Sequence, residues 1–141
     1  MAATRTATTQ WAGSLFEGAG QVTLESSGLG TYDVTWASRT EDPGGRTSPE
    51  ELIAAAHSSC FSMALSNGLA NAGTPPTSLR TTAAVTFQPG TGITGIHLSV
   101  RGEVPGMSAE DFQVAAEEAR VGCPVSQALR ATPITLEATL A

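Results

Sequence analysis

Lysine is absent from this 141-residue chain. All seven basic residues are arginines, scattered along the sequence, against thirteen acidic residues and a formal net charge of −6. A surface of that sign repels phosphate backbones and anionic headgroups, which argues against nucleic acid and membrane surfaces as partners. No apolar run approaches the ~20 residues of a membrane-spanning helix. The N-terminal stretch MAATRTATTQW lacks the apolar segment of a secretory leader, so a cytoplasmic protein with reduced thiols is expected. Cysteine is almost missing too. Cys60 and Cys123 are the only two, too few for a disulfide framework and without a CxxC motif. His57, Cys60 and Cys123 would supply at most three nitrogen or sulfur ligands, short of the density zinc favours, and no metal is expected. GxGxxG, P-loop and GxSxG motifs are all missing, which leaves nucleotide, dinucleotide and serine-hydrolase chemistry without support. Aromatic residues make up 5% of the chain, so its core must be aliphatic and alanine-rich.

What remains reads as one domain over 1–141. Three β-rich stretches open it: ATTQWAG, QVTLESS and YDVTWAS. In the third, Tyr32, Val34 and Trp36 alternate with polar residues, and Arg39 closes the strand beside a glycine-rich loop. Ser48, Pro49 and Glu51 then form a helix start, with cap, first-turn proline and capping-box acid in order. That helix can run to Ala72, where Gly73 and Pro75 stop it. It is rich in alanine and serine and can be approached closely from several sides. Two alternating strands follow, 78–88 and 93–104. A helix from Ser108 to about Gly122, a short helix over 124–130 and a last strand, PITLEATLA, complete the chain. The order βββα–ββααβ, with meanders flanking helices, indicates an α+β fold.

Few residues can carry chemistry. Cys60 lies mid-helix with His57 three before it and Met63 three after, spacings that put neighbours on one face. It is either a small buried hydrophobe or a working thiol that needs an external cation to ionise. Cys123, between Gly122 and Pro124, sits near the start of the short helix, where the dipole favours an anion. On local physics it is the more acidic thiol, or else it fills a turn. Glu50 is not needed by the cap. Arg39 is either solvated or the fixed charge a thiolate requires.

The segments SPEELIAAAHSSCFSMALS and GCPVSQAL, with WAGSLFEGAGQV near the start, resemble the signature regions of the OsmC/Ohr family, osmotically inducible and organic hydroperoxide resistance proteins. The resemblance covers nearly the whole chain, and WASRTED around Arg39 points to the OsmC branch. It implies an OsmC-like fold with antiparallel sheets around a long central helix, an intertwined homodimer, and a thiol peroxidase without metal, haem or flavin. Carried over by position, Cys60 resembles the peroxidatic cysteine, Cys123 the resolving one, and Arg39 and Glu50 the pair that serves the thiolate. Arg46 is the rival arginine, and His57 is common in OsmC-like chains. The implied substrates are organic hydroperoxides and, more weakly, hydrogen peroxide, and the implied reductant is a dithiol, small or borne on a lipoyl-type protein. Phe61, Met63 and Met107 are expected pocket walls. A stress-induced binding protein and a redox sensor are the alternatives.

Two demands follow. Cys60 can attack only if Arg39 lowers its pKa. And Glu50 and Cys60, ten residues apart on one helix, are separated by about 15 Å of rise. Either the helix breaks or a second chain contributes to the site.

Overall fold

The computed structural model describes all residues, 1–141. The chain forms two compact units, Met1–Leu52 and Ile53–Ala141.

In the first unit, β1 (Thr8–Ala12), β2 (Ala19–Thr23) and β3 (Thr31–Val34) form an antiparallel meander in the order β1-β2-β3. The third strand stops earlier than its alternation implies. Thr35 accepts the Ser38 N–H at 3.0 Å, and Ser38 Oγ accepts the Thr35 N–H at 3.0 Å. This reciprocal cap satisfies two helix-end donors and starts a short helix, α1 (Trp36–Thr40). Arg39 therefore sits in the last turn of a helix, not at a strand end. The Ser38 hydroxyl also donates to the Thr47 carbonyl at 2.9 Å and pins the glycine-rich loop. Val22 is the one buried large apolar side chain in this unit, while Trp11, Leu15, Phe16, Leu29 and Tyr32 remain exposed.

Helix α2 (Pro49–Asn71) begins in the first unit and continues through the second. Ser48 Oγ accepts the Glu51 N–H at 3.1 Å, as its cap sequence implies. The Glu51 carboxylate does not complete the capping box; it accepts the Thr47 hydroxyl at 2.6 Å. Gly73, at φ +87°, turns the chain out of the helix as only glycine readily does. Although α2 is 23 residues long, no helix is long and apolar enough to cross a membrane.

Strands β4 (Ser78–Gln88) and β5 (Gly92–Glu103) form an antiparallel hairpin. Helices α3 (Ala109–Gly122) and α4 (Pro124–Ala128) then lead to β6 (Ile134–Leu140), which pairs with β5 in parallel. Three of the four strand pairings match the expected antiparallel sheets; this fourth one does not. The reason is the connection: two helices carry the chain back across the sheet, so β6 enters from the same end as β5. The α+β class and the order of the remaining elements stand, with α1 added.

The core lies on the inner face of this second sheet. Phe61, Leu65 and Leu69 recur every fourth residue along α2 and meet Ile96, Leu98 and Val100 of β5, with Phe112, Ala116 and Ala119 of α3. Gly102 shows how close the packing is. A Cβ there would lie 2.7 Å from Phe112 Cζ and 3.1 Å from Leu79 Cδ2, and Phe112 is itself buried. We expect Gly102→Ala to destabilise the protein by about 1–3 kcal/mol through overpacking. A urea midpoint equal to that of the parent would show that the ring can yield.

Candidate active site

The four residues singled out in the sequence fall into two pairs. In the second unit, the Cys60 and Cys123 thiols share a hydrogen bond, their sulfurs 3.1 Å apart. Both cysteines are free, Cys60 half-buried and Cys123 fully buried. Local structure explains the approach. The Cys123 N–H ends α3 on the Ala119 carbonyl, and the Cys123 carbonyl starts α4 by accepting from Gln127. Cys123 thus occupies the junction of two helices, held from both sides, and α4 carries it against α2.

Burial, above all, and then the hydrogen bond shared with Cys123 push the Cys60 thiol above its ordinary pKa, while a backbone hydrogen bond from Val125 acts the other way. Every one of these influences arises within residues 53–141. Cys60 on its own is thus a poor thiolate, as expected for a mid-helix thiol without a cation.

One turn before Cys60, His57 is buried against Ser126, with Nε2 and Oγ 2.7 Å apart. Its Nδ1 has no hydrogen-bond partner. Burial lowers the pKa of the ring below its ordinary value, so it is neutral at neutral pH. Sequence reading passed over Ser126. The signal was nonetheless there: His57 precedes Cys60 by three residues and Ser126 follows Cys123 by three.

In the first unit, Arg39 and Glu50 form a two-pronged ion pair. Nε donates to Oε1 at 2.9 Å and Nη2 to Oε2 at 2.9 Å. Such fork geometry fixes the guanidinium plane. The Glu50 side chain is 8% exposed and that of Arg39 27%. Arg39 Cζ also lies 5.9 Å from the centre of the Trp36 ring, and Phe16 packs edge-on to Trp36 at 5.6 Å. Trp36 is a second residue that sequence reading placed differently, as a strand residue. Arg39, Trp36, Trp11, Val22, Val34 and Leu52 line a cavity of about 320 Å³. The partner of Glu50 is Arg39; Arg46 lines a separate hollow with Gln21 and Asp33.

The expected pocket walls do not hold together. Phe61 is in the core, Met63 is 73% exposed, and Met107 packs against the core edge. His57 and Met63 do not share a face either. Two three-residue steps on a helix fall about 120° short of two full turns.

These two pairs can be set beside known proteins. The family model described as OsmC-like protein matches residues 42–138. The chain is 45% identical over 130 residues to Peroxiredoxin OsmC of Escherichia coli (strain K12), covering 90% of each. Among solved structures, the organic hydroperoxide resistance protein of Elizabethkingia anophelis matches with a TM-score of 0.66 at 25% identity, over 100% of this chain and 99% of that one. The organic hydroperoxide resistance protein OhrB of Bacillus subtilis shares the fold with a TM-score of 0.72 at 22% identity, over 96% and 98% of the two chains. By the family match across most of its length and by its identity to that curated relative, this chain belongs to the OsmC-like protein family.

Proposed function

We propose that the protein is a thiol peroxidase that reduces organic hydroperoxides, and hydrogen peroxide less well, through a two-cysteine cycle. The observation that carries this reading is the pairing of Cys123 with Cys60 at 3.1 Å in a chain that belongs to this family. Its relatives include a peroxiredoxin and organic hydroperoxide resistance proteins.

The Cys60 thiolate attacks the distal oxygen of the hydroperoxide. The O–O bond breaks, the alkoxide takes a proton and leaves as an alcohol, and Cys60 becomes a sulfenic acid. Cys123 then attacks the Cys60 sulfur. The S–S bond forms, the S–O bond breaks, and the hydroxyl leaves with the Cys123 proton as water. A dithiol, small or carried on a lipoyl-type protein, reduces the disulfide.

Arg39, oriented by Glu50, supplies the positive charge that the Cys60 thiolate and the peroxide oxygens need. The cavity beside Arg39, walled by Trp11, Val22, Trp36 and Leu52, suits an alkyl chain better than water. Helix α2 is unbroken from Pro49 to Asn71. An unbroken helix supports the second answer to the Glu50–Cys60 separation, a contribution from another chain. We place the working site in a homodimer whose α2 helices pack antiparallel, each chain acting as one OsmC-like domain over 1–141. Two features support this. The outer face of α2 presents Ala55, Ala56 and Ser59 to solvent, small enough for a second helix to approach, with the apolar Met63 beside them. The first unit also leaves several large apolar side chains exposed, the mark of a surface that meets a partner.

One equivalent of an organic hydroperoxide given to the reduced protein tests the reading. Both free thiols should disappear, the mass should fall by two hydrogens, and one equivalent of alcohol should be released. Retention of both thiols would end the peroxidase reading and leave a binding protein.

A further inference from the structure

Two side-chain hydrogen bonds tie the short helix α4 to α2: Cys123 to Cys60 at 3.1 Å, and His57 with Ser126 at 2.7 Å. They are successive rungs. Moving three residues back along α2, from Cys60 to His57, matches moving three residues forward along α4, from Cys123 to Ser126. The two elements therefore run antiparallel where they meet. We infer that the His57–Ser126 rung is a positioning device for disulfide closure: it keeps α4, and with it Cys123 Sγ, in register over Cys60 after Cys60 has been oxidised. This rests on the two-cysteine reading above.

Three observations support the inference. First, α4 has five residues, too few to hold a helix or its own register unaided. Its position must come from tertiary contacts, and its polar ones to α2 are these two rungs and the Val125 backbone N–H to Cys60, a bond that, like the Cys60–Cys123 rung, ends on the sulfur that is oxidised. Second, stability alone does not account for His57. It is fully buried, its Nδ1 is unpartnered, and replacing both partners of such a bond by apolar groups is often nearly neutral. Third, the two rungs differ in what oxidation does to them. When Cys60 becomes a sulfenic acid, its sulfur carries an oxygen and the thiol–thiol hydrogen bond is altered. The His57–Ser126 bond involves no sulfur and persists. Closure must then bring the sulfurs from 3.1 Å to about 2.05 Å, a movement of about 1 Å. A fixed point one turn further along both helices lets Cys123 close that gap without α4 sliding. His57 and Ser126 touch no reacting atom; they act through Cys123.

Closure joins the Cys60 and Cys123 sulfurs, breaks the Cys60 S–O bond and releases water, and it draws on no further oxidant. The experiment separates it from the preceding step. Wild type, Ser126→Ala, Ser126→Thr and the double variant His57→Leu/Ser126→Ala are mixed with one equivalent of an organic hydroperoxide and quenched at intervals. Mass then reports sulfenic acid and disulfide separately. Ser126→Ala should form the sulfenic acid at a rate within about twofold of wild type and close the disulfide about 10- to 100-fold more slowly, as misplacement by about 1 Å implies. Ser126→Thr, which keeps the hydroxyl, should recover most of the closure rate. The double variant leaves no buried polar group unpaired, so it should keep the melting temperature of wild type yet close slowly. Closure at the wild-type rate in a folded Ser126→Ala or double variant overturns the inference.

If wild type does not react with the hydroperoxide, the peroxidase reading fails, but the inference remains open to test. Equilibration with reduced and oxidised dithiothreitol measures how readily the two thiols join without any peroxide. Ser126→Ala should shift that equilibrium about tenfold towards the dithiol; an equilibrium equal to that of wild type overturns the inference.

Discussion

Cys60→Ser should abolish hydroperoxide consumption, by a factor on the order of 10³ or more, since a hydroxyl does not replace a thiolate nucleophile. Cys123→Ser should behave differently. It should consume one equivalent of hydroperoxide, stop with a sulfenic acid on Cys60, and turn over no further with a dithiol. The contrast matters because local reasoning pointed the other way. Cys123 stands at the start of α4, where a helix dipole favours an anion, while burial raises the Cys60 thiol. Accessibility argues for Cys60: Cys123 is fully buried and Cys60 is half-buried, so a bulky peroxide can reach only the latter without unfolding. Should Cys60→Ser still consume peroxide through Cys123, the two roles are reversed and the helix terminus governs reactivity. Stopped-flow consumption of a bulky alkyl hydroperoxide, followed by intact mass, distinguishes the cases.

Arg39→Met should lower kcat/KM for organic hydroperoxides by about 10²–10³, the loss typical when a preorganised charge at a developing anion is removed. The pH profile should move as well. Cys60 has a raised pKa from its own surroundings, and the reactive form is the thiolate, which appears as pH rises. Without Arg39, the rate should therefore climb to a higher pH than in wild type before levelling. Glu50→Gln should act in the same direction more weakly, since it loosens the fork that holds Arg39 rather than removing the charge.

Whether Arg39 acts across a dimer is decided by mixing. Chains carrying Arg39→Met and chains carrying Cys60→Ser, each nearly inactive, are unfolded together and refolded. If the arginine of one chain serves the cysteine of the other, a hybrid dimer contains one site with both residues intact, and activity returns. If both residues must come from the same chain, the mixture stays as inactive as its parents. A protein that runs as a monomer in gel filtration while fully active would also exclude the shared site.

The sequence by itself determined the long elements and the identity of the thiol pair's members. Helix α2 begins and ends where Ser48, Pro49 and Gly73 set its limits, because caps and left-handed glycines act within a turn of the residues that carry them. Strand β4 occupies Ser78–Gln88, as its strict alternation implies. Local signals failed where two of them competed. The alternation of Tyr32, Val34 and Trp36 favoured a longer strand, but the Thr35–Ser38 cap prevailed and put Arg39 on a helix. They were silent where the partner lies far along the chain. That β6 runs parallel to β5, that Cys123 reaches Cys60 across 63 residues, and that a buried histidine finds its hydroxyl in Ser126 across 69 are outcomes of α3 and α4 folding back over the sheet. Spacing along the chain bears on the His57–Ser126 meeting only once Cys123 is known to lie against Cys60, and on the other two it is silent. Only the packing of α3 and α4 on the shared core decides them, because burying Phe112, Ala116 and Ala119 against α2 and β5 fixes where the chain after them must lie.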